Sequence, residues 1–79
     1  MATVTLYGRA GCHLCDVARE GLEALRAEVP FTLEERDIEA DDALLRRYLE
    51  RIPVIALDGE ELFDFFLDSA ELRRRLVLR

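Results

Sequence analysis

Thr3-Val4-Thr5-Leu6-Tyr7-Gly8-Arg9-Ala10-Gly11-Cys12-His13-Leu14-Cys15 decides the fold of this 79-residue chain. Thr3 to Tyr7 alternates and is β-branched, which predicts a strand. Gly8-Arg9-Ala10-Gly11 predicts a loop. From Cys12 onward Leu14, Val17, Ala18, Gly21, Leu22, Leu25 and Val29 recur at three and four, the apolar face of a helix that Pro30 closes. Gly21 within that face costs about 1 kcal/mol against Ala, so it predicts a close approach by a neighbouring element.

Working outward, Phe31 to Asp37 alternates as a half-exposed edge strand. Asp41 or Asp42 suits the cap of a second helix packed through Leu45, Tyr48, Leu49 and Ile52. Val54-Ile55-Ala56-Leu57 is apolar on both faces, the mark of a central strand. Asp58-Gly59 is a hairpin signal, returning into a strand from Leu62 to Leu67. Asp68 to Glu71 matches a capping box in its Asp form. The last helix buries Leu72 and Leu76 and carries Arg73, Arg74, Arg75 and Arg79 near its C-terminus, where the helix dipole favours cations. The order is β-α-β-α-β-β-α. A strand–helix–strand unit makes the first two strands parallel with a right-handed crossover, and the hairpin makes the last two antiparallel. The expected fold class is α/β, a mixed four-stranded sheet with helices on both faces, in one domain spanning 1–79.

Composition narrows the function. Hydrophobic residues make up 51% of the chain, enough for a packed core. No apolar run approaches the roughly 18 residues of a membrane span, and the N-terminus lacks a secretory pattern, so a cytoplasmic protein is expected. A net charge of −6 argues against nucleic acid and anionic membrane as partners. All 11 basic residues are Arg, and Lys, Asn, Gln and Trp are absent. Loss of amides fits a thermophile, while a GC-rich genome produces the same Arg-for-Lys bias. In a cytoplasmic chain two cysteines point to catalysis or metal binding rather than a structural disulfide.

Cys12 stands at the first turn of a helix, where free backbone N–H groups stabilise a thiolate. Its pKa is expected below the free value of about 8.5. Cys15, three residues on, lies on the same helical face and is expected to be buried, as the resolving thiol. His13, as imidazolium, would help hold the Cys12 thiolate; otherwise it is a plain exposed residue of the first turn. A zinc site is a poor fit, because a structural site takes four ligands and His13, between the cysteines, is the one remaining Cys or His. Ile52-Pro53-Val54 opens the central strand, the position where Pro is tolerated.

These residues resemble the glutaredoxin branch of the thioredoxin superfamily over nearly the whole chain. The likeness rests on Thr3 to Tyr7, the Gly8 to Gly11 loop, Cys12 to Cys15, Ile52-Pro53-Val54 and the Asp58-Gly59 hairpin, and is strongest to short bacterial glutaredoxin-like proteins with a Gly-Cys-His-Leu-Cys motif. It implies a thioredoxin/glutaredoxin fold and a dithiol–disulfide oxidoreductase with Cys12 and Cys15 as the catalytic pair and no bound cofactor. It implies a cis Ile52–Pro53 bond with Pro53 beside Cys12. Backbone groups of Ile52 would pair with an extended substrate or glutathione. It implies that Arg9 faces a ligand carboxylate and helps hold the thiolate. Substrates would be protein or small-thiol disulfides. The reductant would be glutathione or a thioredoxin-reductase-type system, and the protein would act as a monomer.

The departures are specific. No Pro or Tyr lies inside the motif. Phe66-Leu67-Asp68-Ser69 stands where glutaredoxins carry a Gly-Gly turn, leaving Ser69 and the N-terminus of the last helix to receive a carboxylate. Thioredoxin matches less well, since Gly11 stands in place of its Trp and Leu6 in place of its buried acid. Two other functions remain open: iron–sulfur or metal handling through Cys12, and a partner-binding thioredoxin-fold domain with little redox activity.

Overall fold

A computed structural model describes residues 1–78; Arg79 lies outside the described residues. The strands are β1 (Thr3–Gly8), β2 (Thr32–Asp37), β3 (Val54–Leu57) and β4 (Glu60–Asp64). The helices are α1 (His13–Glu28), α2 (Asp42–Tyr48) and α3 (Ser69–Val77), with a 3-10 turn over Ile38–Ala40. The strand order is β2-β1-β3-β4. β1 and β2 run parallel from Thr3↔Thr32 to Gly8↔Asp37. β1 and β3 are antiparallel from Val4↔Leu57 to Tyr7↔Val54. β3 and β4 are antiparallel, with a register shift between Ile55 and Ala56. This is the expected mixed sheet, with β3 central and β2 at an edge.

The period of two in the strands sorts the core into two layers. Val4, Leu6, Ile55 and Leu57 face α1 and α3, burying against Ala18, Leu22, Leu25, Leu72 and Leu76. On the opposite face Val54 packs with Ile38 and Tyr48, flanked by Tyr7, Leu44 and Leu45. Helices therefore cover both faces. At Gly21 a Cβ would stand 2.9 Å from Leu67 Cδ2, so the glycine on the apolar face does mark a close approach, by the segment leading into α3.

Local chemistry sets the boundaries. Asp58 and Gly59 both take positive φ, 49° and 90°, as a two-residue hairpin turn of the Asp-Gly kind requires. Asp41 caps α2, its carboxylate accepting from the N–H groups of Ala43 at 2.8 Å and Leu44 at 3.4 Å. Removing that cap in Asp41→Ala is expected to cost about 1 kcal/mol in urea denaturation, against a few tenths for Asp42→Ala. Equal losses would show that the cap is not the source. Among the described residues no helix is long and apolar enough to cross a membrane.

Several expectations need correction, and Gly8, expected in a loop, ends β1. β2 starts at Thr32, because Phe31 turns inward and is buried in the core. β4 spans Glu60–Asp64 rather than Leu62 to Leu67, because Phe65 adopts a φ of 71° and breaks the extended run. Leu14 and Val17 are about half exposed: the buried arc of α1 runs through Cys15, Ala18, Leu22 and Leu25, and successive residues lie about 100° apart around a helix. Leu49 is exposed and α2 packs through Tyr48, with Leu44 and Leu45 partly buried. Asp68 caps α3 by accepting from the Glu71 N–H at 3.1 Å, but the Glu71 carboxylate turns to Arg74 and Arg75, so the capping box is one-sided.

Candidate active site

The chain enters α1 through Gly11, whose φ of 78° turns it sharply at no steric cost. Cys12 is the N-cap. Its sulfur accepts the Cys15 N–H at 3.2 Å, one of the donors that a helix start leaves free. The two cysteines form a disulfide, with Cα atoms 5.2 Å apart. They are not equivalent: Cys15 is fully buried and Cys12 is half-buried. An amide aimed at the outer sulfur and a buried inner sulfur are what an attacking and a resolving thiol need.

The floor of the site follows from sheet register. Gly8 ends β1 on the α1 side of the sheet, in line with Val4 and Leu6, and faces the Cys15 sulfur. Tyr7 pairs with Val54, so the next antiparallel position sets Pro53 opposite Gly8. Pro53 is fully buried and its bond to Ile52 is cis. Among the described residues the backbone N–H and C=O of Ile52 make no backbone hydrogen bond. On the far side of Pro53 the Phe65 N–H donates to Pro53 O at 2.7 Å, and the Phe66 N–H closes a tight turn onto Asp64 O at 2.8 Å. Phe65 and Phe66 are exposed, as are Leu14 and Val17 in the first two turns of α1. Leu67 then crosses to α1 at Gly21.

An ionic cluster holds the segment before Pro53. Glu61 on β4 accepts from Tyr48 Oη at 2.7 Å, from Arg51 at 2.6 Å and from Arg47 at 2.9 Å. Arg51 also binds Asp64 through Nε at 3.0 Å and Nη2 at 3.1 Å. Arg51 and Tyr48 hold the Glu61 carboxyl down at about 2, and burial, with the bond to Glu61, pushes the Tyr48 phenol up to about 12. Tyr48 stacks on Tyr7 with ring centroids 4.5 Å apart.

The structure separates the remaining sequence candidates. Arg9 is exposed and its guanidinium pairs with Glu39 of the 3-10 turn at 3.2 Å. His13 is the exposed first residue of α1. Ser69 stands beside Gly21, its Oγ 3.9 Å from where a Cβ there would be. Gly21 lies about 13 Å along the helix from Cys12, so Ser69 is not at the sulfur end. A mixed-charge cleft of about 390 Å3 opens between the Gly8–Ala10 loop, the start of α1 and the end of β2. The cysteines do not line it, and Arg19 there is occupied by Asp16 and Glu35. No group of three or more His, Cys, Asp or Glu side chains among the described residues is placed to hold a metal ion.

Sequence reasoning missed Gly8, Phe65 and Glu39 as parts of this site. The alternation of Thr3 to Tyr7 leaves Gly8 to the loop, although a glycine at the end of a strand is itself a sign of close backbone approach. Nothing local marks Phe65 or Glu39, since one depends on a turn that a bulky residue rarely adopts and the other on the 3-10 turn.

Comparisons with known proteins show the family and the fold. A family model described as Glutaredoxin-like domain (DUF836) matches residues 3–77. An uncharacterized protein of Mycobacterium tuberculosis is 32% identical, with 89% of this chain and 77% of that protein covered. The solution structure of a Nitrosomonas europaea protein superposes with a TM-score of 0.83 at 35% identity, covering 95% of this chain and 91% of that one. The X-ray structure of an X. campestris protein gives 0.77 at 38%, covering 96% and 97%. A mutant thioredoxin from Halobacterium salinarum gives 0.69 at 19% identity, covering 95% and 71%, a likeness of fold alone.

Proposed function

The chain belongs to the glutaredoxin-like domain family, and from that premise we propose that it is a dithiol–disulfide oxidoreductase that reduces protein disulfides. One observation carries the proposal: the Cys15 N–H donates to the sulfur of the half-buried N-cap Cys12, while Cys15 itself is buried. In the dithiol form that amide and the helix dipole favour a Cys12 thiolate.

The Cys12 thiolate attacks one sulfur of a substrate disulfide. The Cys12–substrate bond forms and the substrate's own S–S bond breaks. The first substrate thiolate leaves and takes a proton from water. Cys15 then loses its proton and attacks Cys12, releasing the second substrate thiol and closing the Cys12–Cys15 bond. Two electrons pass from the protein to the substrate, and an external dithiol donor returns them.

Substrate docking rests on two features. Among the described residues the N–H and C=O of Ile52 make no backbone hydrogen bond, which suits an extended chain laid alongside Pro53. Exposed Leu14, Val17, Phe65 and Phe66 offer apolar contact that suits a protein segment better than a small charged thiol. Arg9 can meet a substrate carboxylate with its remaining N–H groups or by giving up Glu39, an exposed pair worth under about 1 kcal/mol. His13, when protonated, adds positive charge at the start of α1.

The test is equilibration in graded glutathione redox buffers, alkylation of free thiols and mass spectrometry. The expected result is a two-electron transition between about −270 and −180 mV. Failure of the thiols to pair anywhere in that range overturns the dithiol mechanism.

A further inference from the structure

We propose that Gly8 is a positioning residue for the resolving thiol, holding open the space in which the Cys15 sulfur can close onto Cys12; the proposal rests on the redox function set out above. Gly8 ends β1 and is buried directly against Cys15. A Cβ on Gly8 would stand 2.9 Å from Cys15 Sγ and 3.2 Å from Cys15 Cβ. The first of these is closer than side chains tolerate, so one partner must move.

Neither has an easy path. Cys15 has no exposed surface, and its backbone lies in the first turn of α1, between the Cys12 cap and the buried Ala18. Gly8 is pinned on one side by its pairing with Asp37 of β2. On the other it adjoins Tyr7, which pairs with Val54. Gly8 has no positive φ, so its lack of a side chain answers a need for space rather than for backbone freedom.

The two redox states would not feel an added methyl equally. In the closed pair the Cys15 sulfur is tethered at both ends, to its own Cβ and to the Cys12 sulfur. In the open dithiol it is tethered at one end only and keeps the χ1 torsion that the closed pair fixes. A methyl at position 8 therefore disfavours the disulfide more than the dithiol. The resolving step suffers in the same way: the Cys15 thiolate must approach Cys12 while the Cys12–substrate bond breaks and the substrate thiolate leaves with a proton from water. Cys12 does not touch Gly8 in this way, so its own reactivity should be spared.

The experiment compares wild type with Gly8→Ala in graded glutathione buffers, alongside the rate of iodoacetamide alkylation of Cys12 in the reduced proteins. Gly8→Ala is expected to lower the equilibrium constant for closing Cys12–Cys15 at least tenfold, a midpoint about 30 mV less negative. Cys12 alkylation should stay within twofold of wild type. Melting of Gly8→Ala, Cys15→Ala and the double variant separates a sulfur clash from general damage to the sheet. The cost of Gly8→Ala should shrink markedly once the sulfur is gone, and a single variant that fails to fold should be rescued by Cys15→Ala. An unchanged midpoint in Gly8→Ala, with a normal wild-type transition, overturns the proposal and leaves the redox function standing. Equal melting costs in both backgrounds, or no rescue, also overturn it. A wild type that never pairs its thiols removes the redox function and this role with it.

Discussion

Cys12→Ser is expected to lose disulfide reduction by at least about a thousandfold, whereas Cys15→Ser should still attack and then stall. The difference follows from the cap. In the proposed mechanism Cys12 supplies the attacking sulfur, and that sulfur also accepts the Cys15 N–H, so replacing it would remove the nucleophile outright. Cys15→Ser keeps that backbone N–H, and with it most of the field that holds the Cys12 thiolate. Such a variant should react with a protein disulfide in one step and remain as a mixed disulfide visible by non-reducing gel and intact mass. Its Cys12 should alkylate with a midpoint well below the ordinary thiol value of about 8.5. If Cys15→Ser turns over as fast as wild type, the buried sulfur is not the resolving thiol. If Cys12 in that variant titrates near 8.5, the cap amide does not activate it.

Where sequence sufficed, the determinants were local. Thr3 to Tyr7 alternates, Asp58-Gly59 takes the two positive φ values its turn needs, and Val54 to Leu57 is buried on both faces as a fully apolar run must be. The place of Cys12 at the start of α1 was legible for the same reason, although its role as the N-cap was not. What sequence did not yield depends on neighbours distant along the chain. Whether Val17 is buried turns on where the arc of α1 meets the sheet, not on its hydrophobicity. Phe65 leaves the extended region while its N–H donates to Pro53 O, a contact across strands that no short window encodes. Glu39 reaches Arg9 only because a 3-10 turn carries it there. Arg47 and Arg51 both converge on Glu61 of β4, a pairing between elements that no short window encodes.

That convergence fixes the second large effect, a contribution of Glu61 to the loss of stability in acid that Glu61→Gln should remove. The Glu61 carboxyl sits at about 2 in the folded protein against 4.5 in the unfolded chain, held down chiefly by Arg51 and Tyr48. Its folded value is depressed, so its contribution is fully present above pH 4.5 and is lost as pH falls from there toward 2. The side chain is 23% exposed and solvent screens part of the interaction, so about 1–2 kcal/mol is expected at pH 7. Gln keeps an acceptor for the Tyr48 hydroxyl and removes only the charge that Arg47 and Arg51 share. Urea denaturation should therefore show Glu61→Gln weaker than wild type by that amount at pH 7 and equal to it near pH 2. Glu71, also held at about 2 by Arg74 and Arg75, titrates in the same window and leaves a residual acid slope in the variant. Arg51 still has Asp64, so the segment before Pro53 should stay seated and the midpoint of the Cys12–Cys15 couple should not move. A gap between variant and wild type that persists unchanged at pH 2 would mean that Glu61 acts through packing. A shifted midpoint would mean that its charge reaches the sulfur pair.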